Sequence, residues 1–216
     1  CLLSRGLGDV YKRQDQKYNR LAIQKLCEEA IEYETASVCI PPCYIKRVHD
    51  TYGEKINICT VVGFPLGYSV TEAKAAETKK ALEDGASEVD MVVNISDVKN
   101  GNYDAVQAEI AALKKITGDK ILKVIIETCY LTEEEKIAMC KAVTAAGADY
   151  IKTSTGFGTA GATLEDIRLF RENIGPDVKM KAAGGVKTVA DMEAFLEAGC
   201  DRIGTSSAIQ LIQGEQ

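Results

Sequence analysis

Apolar and polar positions along this chain switch between two periods. Short runs dense in β-branched and aliphatic residues recur at 36–40 (ASVCI), 56–62 (INICTVV), 88–93 (EVDMVV), 121–127 (ILKVIIE), 148–152 (ADYIK), 178–182 (VKMKA) and 201–205 (DRIGT). Between them lie stretches such as YDAVQAEIAALKKI and EEEKIAMCKAVTAAG, whose apolar residues fall at the spacing of an amphipathic helix. Ser69 with Glu72, Thr132 with Glu135 and Thr163 with Asp166 read as helix starts where side chains satisfy free N–H groups. Glycines closing KALEDG, AVTAAG and AFLEAG read as helix ends. Strand followed by helix, repeated without exception, predicts a parallel sheet covered by helices.

An open doubly wound sheet and a closed barrel both satisfy that order. A helix-like segment at 20–33 precedes the first of the seven strands, so one more strand ahead of it would complete eight units. The expected fold class is therefore α/β, a (β/α)8 TIM barrel whose first strand is missing or replaced by non-native sequence. The opening stretch CLLSRGLGDVYKRQ has no initiator methionine, no helical period and only a strand-like fragment around Val10 and Tyr11. Residues 1–16 thus read as an atypical segment, either a native but divergent terminus or a cloning or assembly remnant, and 17–216 as one barrel domain. A barrel without its first strand would carry two free edges.

Composition removes several classes of function. A net charge of −6, with no Lys/Arg cluster interleaved with aromatics, argues against nucleic acid as a partner. The longest apolar runs fall well short of the roughly 20 residues that a membrane helix needs, so no membrane association is expected. The eight cysteines of the chain lack a secretory context and read mostly as buried thiols, in keeping with a cytoplasmic protein. Cys39 and Cys43 are separated by Pro41 and Pro42, and His49 is the single histidine, too few convergent ligands for a structural metal.

In a parallel barrel the reactive groups stand at the C-terminal ends of strands. Lys152 ends strand six, Lys181 lies near the end of strand seven, and Asp90 interrupts strand four, each a charge within an apolar run. Lys123 reads instead as a marginal residue at the opposite rim. Two ammonium groups about 5 Å apart at an effective dielectric of about 20 repel by about 3 kcal/mol, enough to drive one lysine toward the free amine. A free amine attacks a carbonyl to give a Schiff base, which serves as an electron sink for a neighbouring carbon. Asp90, working with Lys181 through water, would move the proton. This combination fits a lysine-dependent aldolase.

The glycine-rich stretches refine the substrate. GFGTAG at 156–161 fits a dinucleotide fingerprint only in form, because it lies late in the chain and the next strand carries Lys181 in place of an acid. The loops STG (154–156, containing Thr155), AAGGV and GTSSA together expose backbone N–H groups, and loops after strands seven and eight are the usual phosphate site of a barrel.

The motifs ASVCIPPCYI, TVVGFPLG, EVDMVVN, LKVIIET, YIKTSTGFG, KAAGGVKT and RIGTSSA, in this order from about Leu21 to the C-terminus, resemble deoxyribose-phosphate aldolase, a class I aldolase family. The resemblance implies that Lys152 forms the Schiff base, that Lys181 lowers its pKa and that Asp90 is the acid of the proton relay. It implies that Cys39 lines the substrate pocket and that Gly156, Gly184, Gly185, Gly204, Ser206 and Ser207 hold the phosphate. The implied reaction is reversible cleavage of 2-deoxy-D-ribose 5-phosphate to D-glyceraldehyde 3-phosphate and acetaldehyde, in deoxyribonucleotide catabolism, without metal or organic cofactor. A phosphosugar is the implied partner, and a homodimer is admitted. Family members begin with a strand carrying an Asp-His-Thr type motif that nothing in 1–20 matches, which leaves two alternatives: a truncated barrel that keeps the phosphate loops without turnover, or another phosphosugar barrel enzyme such as an isomerase.

Overall fold

A computed structural model describes residues 10–11, 19–206, 209–210 and 214. Eight parallel strands are hydrogen-bonded in sequence order: β1 (Val10–Tyr11), β2 (Val38–Cys39), β3 (Ile58–Val62), β4 (Glu88–Val92), β5 (Ile121–Ile125), β6 (Tyr150–Lys152), β7 (Lys179–Ala183) and β8 (Arg202–Gly204). The helices between them are α1 (Arg20–Glu32), α2 (Ile45–Tyr52), α3 (Thr71–Glu83), α4 (Ile95–Lys99), α5 (Tyr103–Thr117), α6 (Glu133–Ala145), α7 (Leu164–Asn173) and α8 (Val189–Glu197). All seven strand segments expected from the sequence are present. At the position where only a strand-like fragment was expected, β1 runs parallel to β2, with Val10 opposite Val38 and Tyr11 opposite Cys39. The rest of the segment 1–16 lies outside the described residues.

The curl of the sheet is legible in one ion pair. Arg202 on β8 donates to both carboxylate oxygens of Glu88 on β4, at 2.9 and 2.8 Å. Four strand spacings of about 4.8 Å would separate these strands by roughly 19 Å on a flat sheet. Contact across that span requires the sheet to wrap round on itself, as in a (β/α)8 barrel.

Period-two alternation explains how charges enter apolar runs. On β4, Val89 and Met91 join the large apolar core with Ile110 and Leu113 of α5, while Glu88 and Asp90 point to the other side of the sheet. β5 repeats this, with Leu122 and Val124 in the same core and Lys123 on the inner face. Greasy residues thus cement sheet to helices, and the inner face takes the charges beside a small apolar cluster of Cys39, Cys59 and Val61.

Local chemistry sets the helix starts. Thr132 and Glu135 form a reciprocal capping box on α6, and Thr163 accepts from the Asp166 N–H on α7. Ser69 does not cap α3. That helix begins at Thr71 behind Val70, which is extended and offers no side-chain acceptor, so the Ser69/Glu72 pattern lies one residue too early. A further box, Thr188 with Asp191, starts α8. Gly85, at the end of α3, has φ +108° and lies against the His49 ring, which leaves no room for a Cβ.

α3 is anchored by a buried cation. Lys74 Nζ is 2.8 Å from Glu109 Oε2 on α5 and 2.9 Å from the Val92 carbonyl at the end of β4. Lys74→Met is therefore expected to leave Glu109 charged and unmatched, destabilising the fold by about 3 to 5 kcal/mol in urea unfolding; a loss below 1 kcal/mol would contradict this role for the pair.

Candidate active site

Three strands bring their charges to one carboxylate. Asp90 Oδ2 lies 2.7 Å from Lys152 Nζ on β6 and 3.5 Å from Lys181 Nζ on β7. Its other oxygen, Oδ1, accepts from Lys123 Nζ at 2.9 Å and from the Cys59 thiol at 3.2 Å. Register explains the convergence: Lys152 is opposite Lys181, Lys181 opposite Arg202, and Asp90 opposite Lys123, all with inward-facing side chains. Asp90, Lys123 and Lys181 are 0% exposed, and Lys152 is 1% exposed.

This geometry corrects two expectations. The acid beside Lys152 is Asp90, delivered by β4 across the barrel rather than by its own loop. Lys123 is not a marginal residue at the far rim; it is fully buried and also contacts Glu88 Oε2 at 2.5 Å. Burial alone pulls Lys123 downward, but Asp90, Cys59 and Glu88 outweigh it and hold the ammonium well above the ordinary lysine range. The depressed amine is Lys181 itself, pushed well below the usual value first by burial and then by the Arg202 guanidinium. Two carboxylates, Glu88 and Asp90, face four basic groups here, so a neutral Lys181 relieves an excess of positive charge that an enclosed interior tolerates poorly.

Beneath this cluster Glu88 ties together Ser37 at 3.1 Å, Lys123 and Arg202. The guanidinium also lies 5.1 Å from the centre of the Tyr150 ring. The thiols of Cys39 and Cys59 and a carboxylate oxygen of Asp90 lie within 4.8 Å of one another. Lys123 Nζ stands 3.4 Å from Cys59 Sγ as well as on Asp90 Oδ1, so an ammonium already takes the position a divalent ion would need. Burial also pushes the Cys59 thiol well above its usual value, against the thiolate a metal requires.

Above the lysines a cavity of about 150 Å³ opens at the C-terminal ends of β6, β7 and β8. Its walls include Lys152, Thr155, Gly156, Gly184, Gly185, Gly204 and Ser206, as expected from the loop sequences. Ser207 lies outside the described residues. Gly184 and Gly185 have φ of +78° and +77°, and a Cβ on Gly161 would overlap the Gly184 peptide, so bare backbone lines this wall. Phe64, after β3, meets Phe157, after β6, edge to face with ring centroids 5.5 Å apart. Cys39 is not part of these walls; it packs with Cys59, Val61 and Phe64.

Sequence reasoning passed over Glu88, Arg202 and Glu127. The first two carry a signal, an inward position on strands that also bear a charge. Glu127 closes the run ILKVIIE and sits at a strand end, the place where Lys152 drew attention. It is buried and accepts the Thr155 N–H and hydroxyl. The hydroxyls of Thr128 and Ser154 are buried without a partner among the described residues.

Comparison with known proteins places these features in a wider set. Residues 9–207 match the model of the DeoC/LacD family aldolases. A deoxyribose-phosphate aldolase from Clostridium botulinum (strain Alaska E43 / Type E3) is 73% identical over 194 residues, covering 90% of this chain and 88% of the relative. A deoxyribose-phosphate aldolase from Clostridioides difficile is 60% identical over 193 residues, covering 89% of this chain and 88% of the relative. Among solved structures, a tetrameric deoxyribose phosphate aldolase from Aeropyrum pernix superposes with a TM-score of 0.87 at 28% identity, covering 99% of this chain and 90% of that one.

The depressed Lys181 has a consequence for stability. In the unfolded chain this lysine holds its proton up to about pH 10.4, whereas in the fold it releases it at lower pH. Between those two values the unfolded state binds one more proton, so its contribution to stability rises with pH. Lys181→Met is expected to gain stability over the parent protein most at the low-pH side of that window, the advantage shrinking by up to about 1.4 kcal/mol per pH unit as pH rises. Urea unfolding of both proteins at pH 7, 8 and 9 reads this directly; a pH-independent difference would contradict a neutral Lys181.

Proposed function

We propose that this chain, which belongs to the DeoC/LacD family of aldolases, catalyses the reversible aldol cleavage of 2-deoxy-D-ribose 5-phosphate to D-glyceraldehyde 3-phosphate and acetaldehyde. The observation that carries the reading is the sharing of Asp90 Oδ2 between Lys152 and a depressed Lys181, at the floor of a cavity walled by backbone amides. Its close relatives are named for the same activity.

In this reading Lys152 is the nucleophile, because it alone of the three lysines walls the cavity. Its ammonium passes a proton through Asp90 to the amine of Lys181, and the freed nitrogen adds to the aldehyde carbon of the open-chain sugar. Loss of water gives the Schiff base. Removal of the C3 hydroxyl proton then breaks the C2–C3 bond, releasing D-glyceraldehyde 3-phosphate and leaving the electron pair in an enamine on Lys152. Protonation of that carbon and hydrolysis release acetaldehyde. The Asp90, Lys181 and water chain serves both proton steps, and no step calls for a metal or organic cofactor.

The phosphate is assigned to the cavity wall made by Gly156, Gly184, Gly185, Gly204 and Ser206, with Ser207 adjoining it in sequence. Glycine-lined backbone favours an anion there. A cytoplasmic setting, a homodimeric assembly and a role in deoxyribonucleotide catabolism complete the proposal. The described cysteines are free thiols, and no helix among the described residues is long and apolar enough to cross a membrane.

Incubation with acetaldehyde and borohydride followed by peptide mapping is expected to yield one reduced adduct on Lys152. The adduct should vanish in Lys152→Ala, and Asp90→Asn should lower kcat by roughly 10²- to 10⁴-fold. Absence of an adduct from folded protein, or equal labelling of Lys152→Ala, would overturn the Schiff-base assignment.

A further inference from the structure

Glu127 lies outside the lysine cluster, yet the fold commits much to holding it. Two residues after β5 ends, it adopts φ +54°, the left-handed region, although it is not a glycine. For a residue with a side chain that conformation costs roughly 1 to 2 kcal/mol and persists only where the surroundings compensate. The compensation here is a run of donors from the opposite loop. The Thr155 N–H lies 3.1 and 3.3 Å from the two Glu127 carboxylate oxygens, and the Thr155 hydroxyl donates to Oε2. The same hydroxyl oxygen then accepts the Phe157 N–H at 3.0 Å.

The loop is pressed onto the carboxylate. At Gly158 a Cβ would lie 2.7 Å from Cys129 Sγ and 3.1 Å from Glu127 Oε1, so a side chain there would prise the loop away. Thr155, Gly156 and Phe157 are walls of the cavity assigned to the phosphosugar. Burial raises the Glu127 acid, while the Thr155 bonds and the Lys152 charge draw it back, so the acceptor depends on the loop as the loop depends on it. A glycine at 127 would relieve the backbone but forfeit every one of these bonds.

We propose that Glu127 is a positioning residue that fixes the loop 155–157 from behind and thereby sets affinity for the phosphorylated substrate without taking part in bond making. The proposal rests on the assignment of the cavity to that substrate. Its signature is a rise in KM at nearly constant kcat, absent when the acceptor oxygen is kept and present when it is removed.

The test compares Glu127→Gln, Glu127→Ala and Glu127→Gly, measuring kcat and KM for 2-deoxy-D-ribose 5-phosphate beside acetaldehyde and borohydride labelling of Lys152. Glu127→Gln, which keeps an amide oxygen, is expected within about threefold of the parent protein in both constants, whereas Ala and Gly raise KM about tenfold with kcat within about threefold and labelling preserved. Glu127→Gly removes the backbone strain, so it carries the comparison if Glu127→Ala fails to fold. Adding Thr155→Val to the Gly variant should raise KM by less than the product of the two single effects, because both remove the same bonds. Unchanged KM in the Ala and Gly variants, a fall in kcat at constant KM, or equal damage by Gln and Gly would overturn the proposal. Failure of the parent protein to label would instead overturn the Schiff-base reading on which it rests.

Discussion

One carboxylate on the inner face of the curled parallel sheet organises the buried charges of this protein. Asp90 receives Lys123 and Cys59 on one oxygen and Lys152 and Lys181 on the other. Two acids among four basic groups cannot match all of them, and the consequences divide by position. Lys123, with Glu88 on its far side, stays a fixed positive charge and holds Asp90 in its acceptor form. Lys181, buried and with Arg202 as its registered neighbour, has its proton affinity pushed well below the ordinary lysine range. The same carboxylate thus stands between a lysine pushed toward its charged form and one pushed away from it, and Lys152 occupies the remaining place at the edge of the cavity.

The price of such an interior is met by its surroundings. Outward-facing residues of the same strands, among them Val89, Met91, Leu122 and Val124, bury against the helices and supply the hydrophobic drive. The inner face can then be given to charge because each charged group finds a partner on another strand. Glu88 alone answers groups from β5 and β8 and the residue ahead of β2. Replacing any one member changes the proton affinity of the others, which is why the array behaves as a unit rather than as separate pairs.

Much of this was legible from the chain. Alternation of strand and helix, the strand-end rule and the glycine loops led to the barrel, to Lys152, Lys181 and Asp90, and to the cavity wall. Distance across the barrel was not legible. Sequence order makes β4 and β6 look remote, so the direct contact of Asp90 with Lys152 stayed hidden, and Lys123 looked peripheral when it binds Asp90 from within the sheet. The direction of the Lys181 shift depends on burial and on Arg202, neither of which a local pattern encodes. Glu127 was passed over because its meaning lies in a backbone angle and in partners 28 residues away. Cys39 was expected at the cavity wall on grounds of resemblance, while its side chain packs toward Cys59.

The edge-to-face meeting of Phe64 and Phe157 joins two loops that flank the cavity mouth. An aromatic pair of this kind is worth about 0.5 to 1.5 kcal/mol beyond the area it buries. Closure is therefore favoured by a factor of only about two to ten, and thermal motion of loops parts the rings on a timescale of about nanoseconds to microseconds. Turnover of enzymes is commonly about a thousand times slower than that or more. The two rings thus tie the loop after β3 to the loop after β6 by a contact weak enough to part and re-form many times within one turnover, so this side of the cavity is held without being locked.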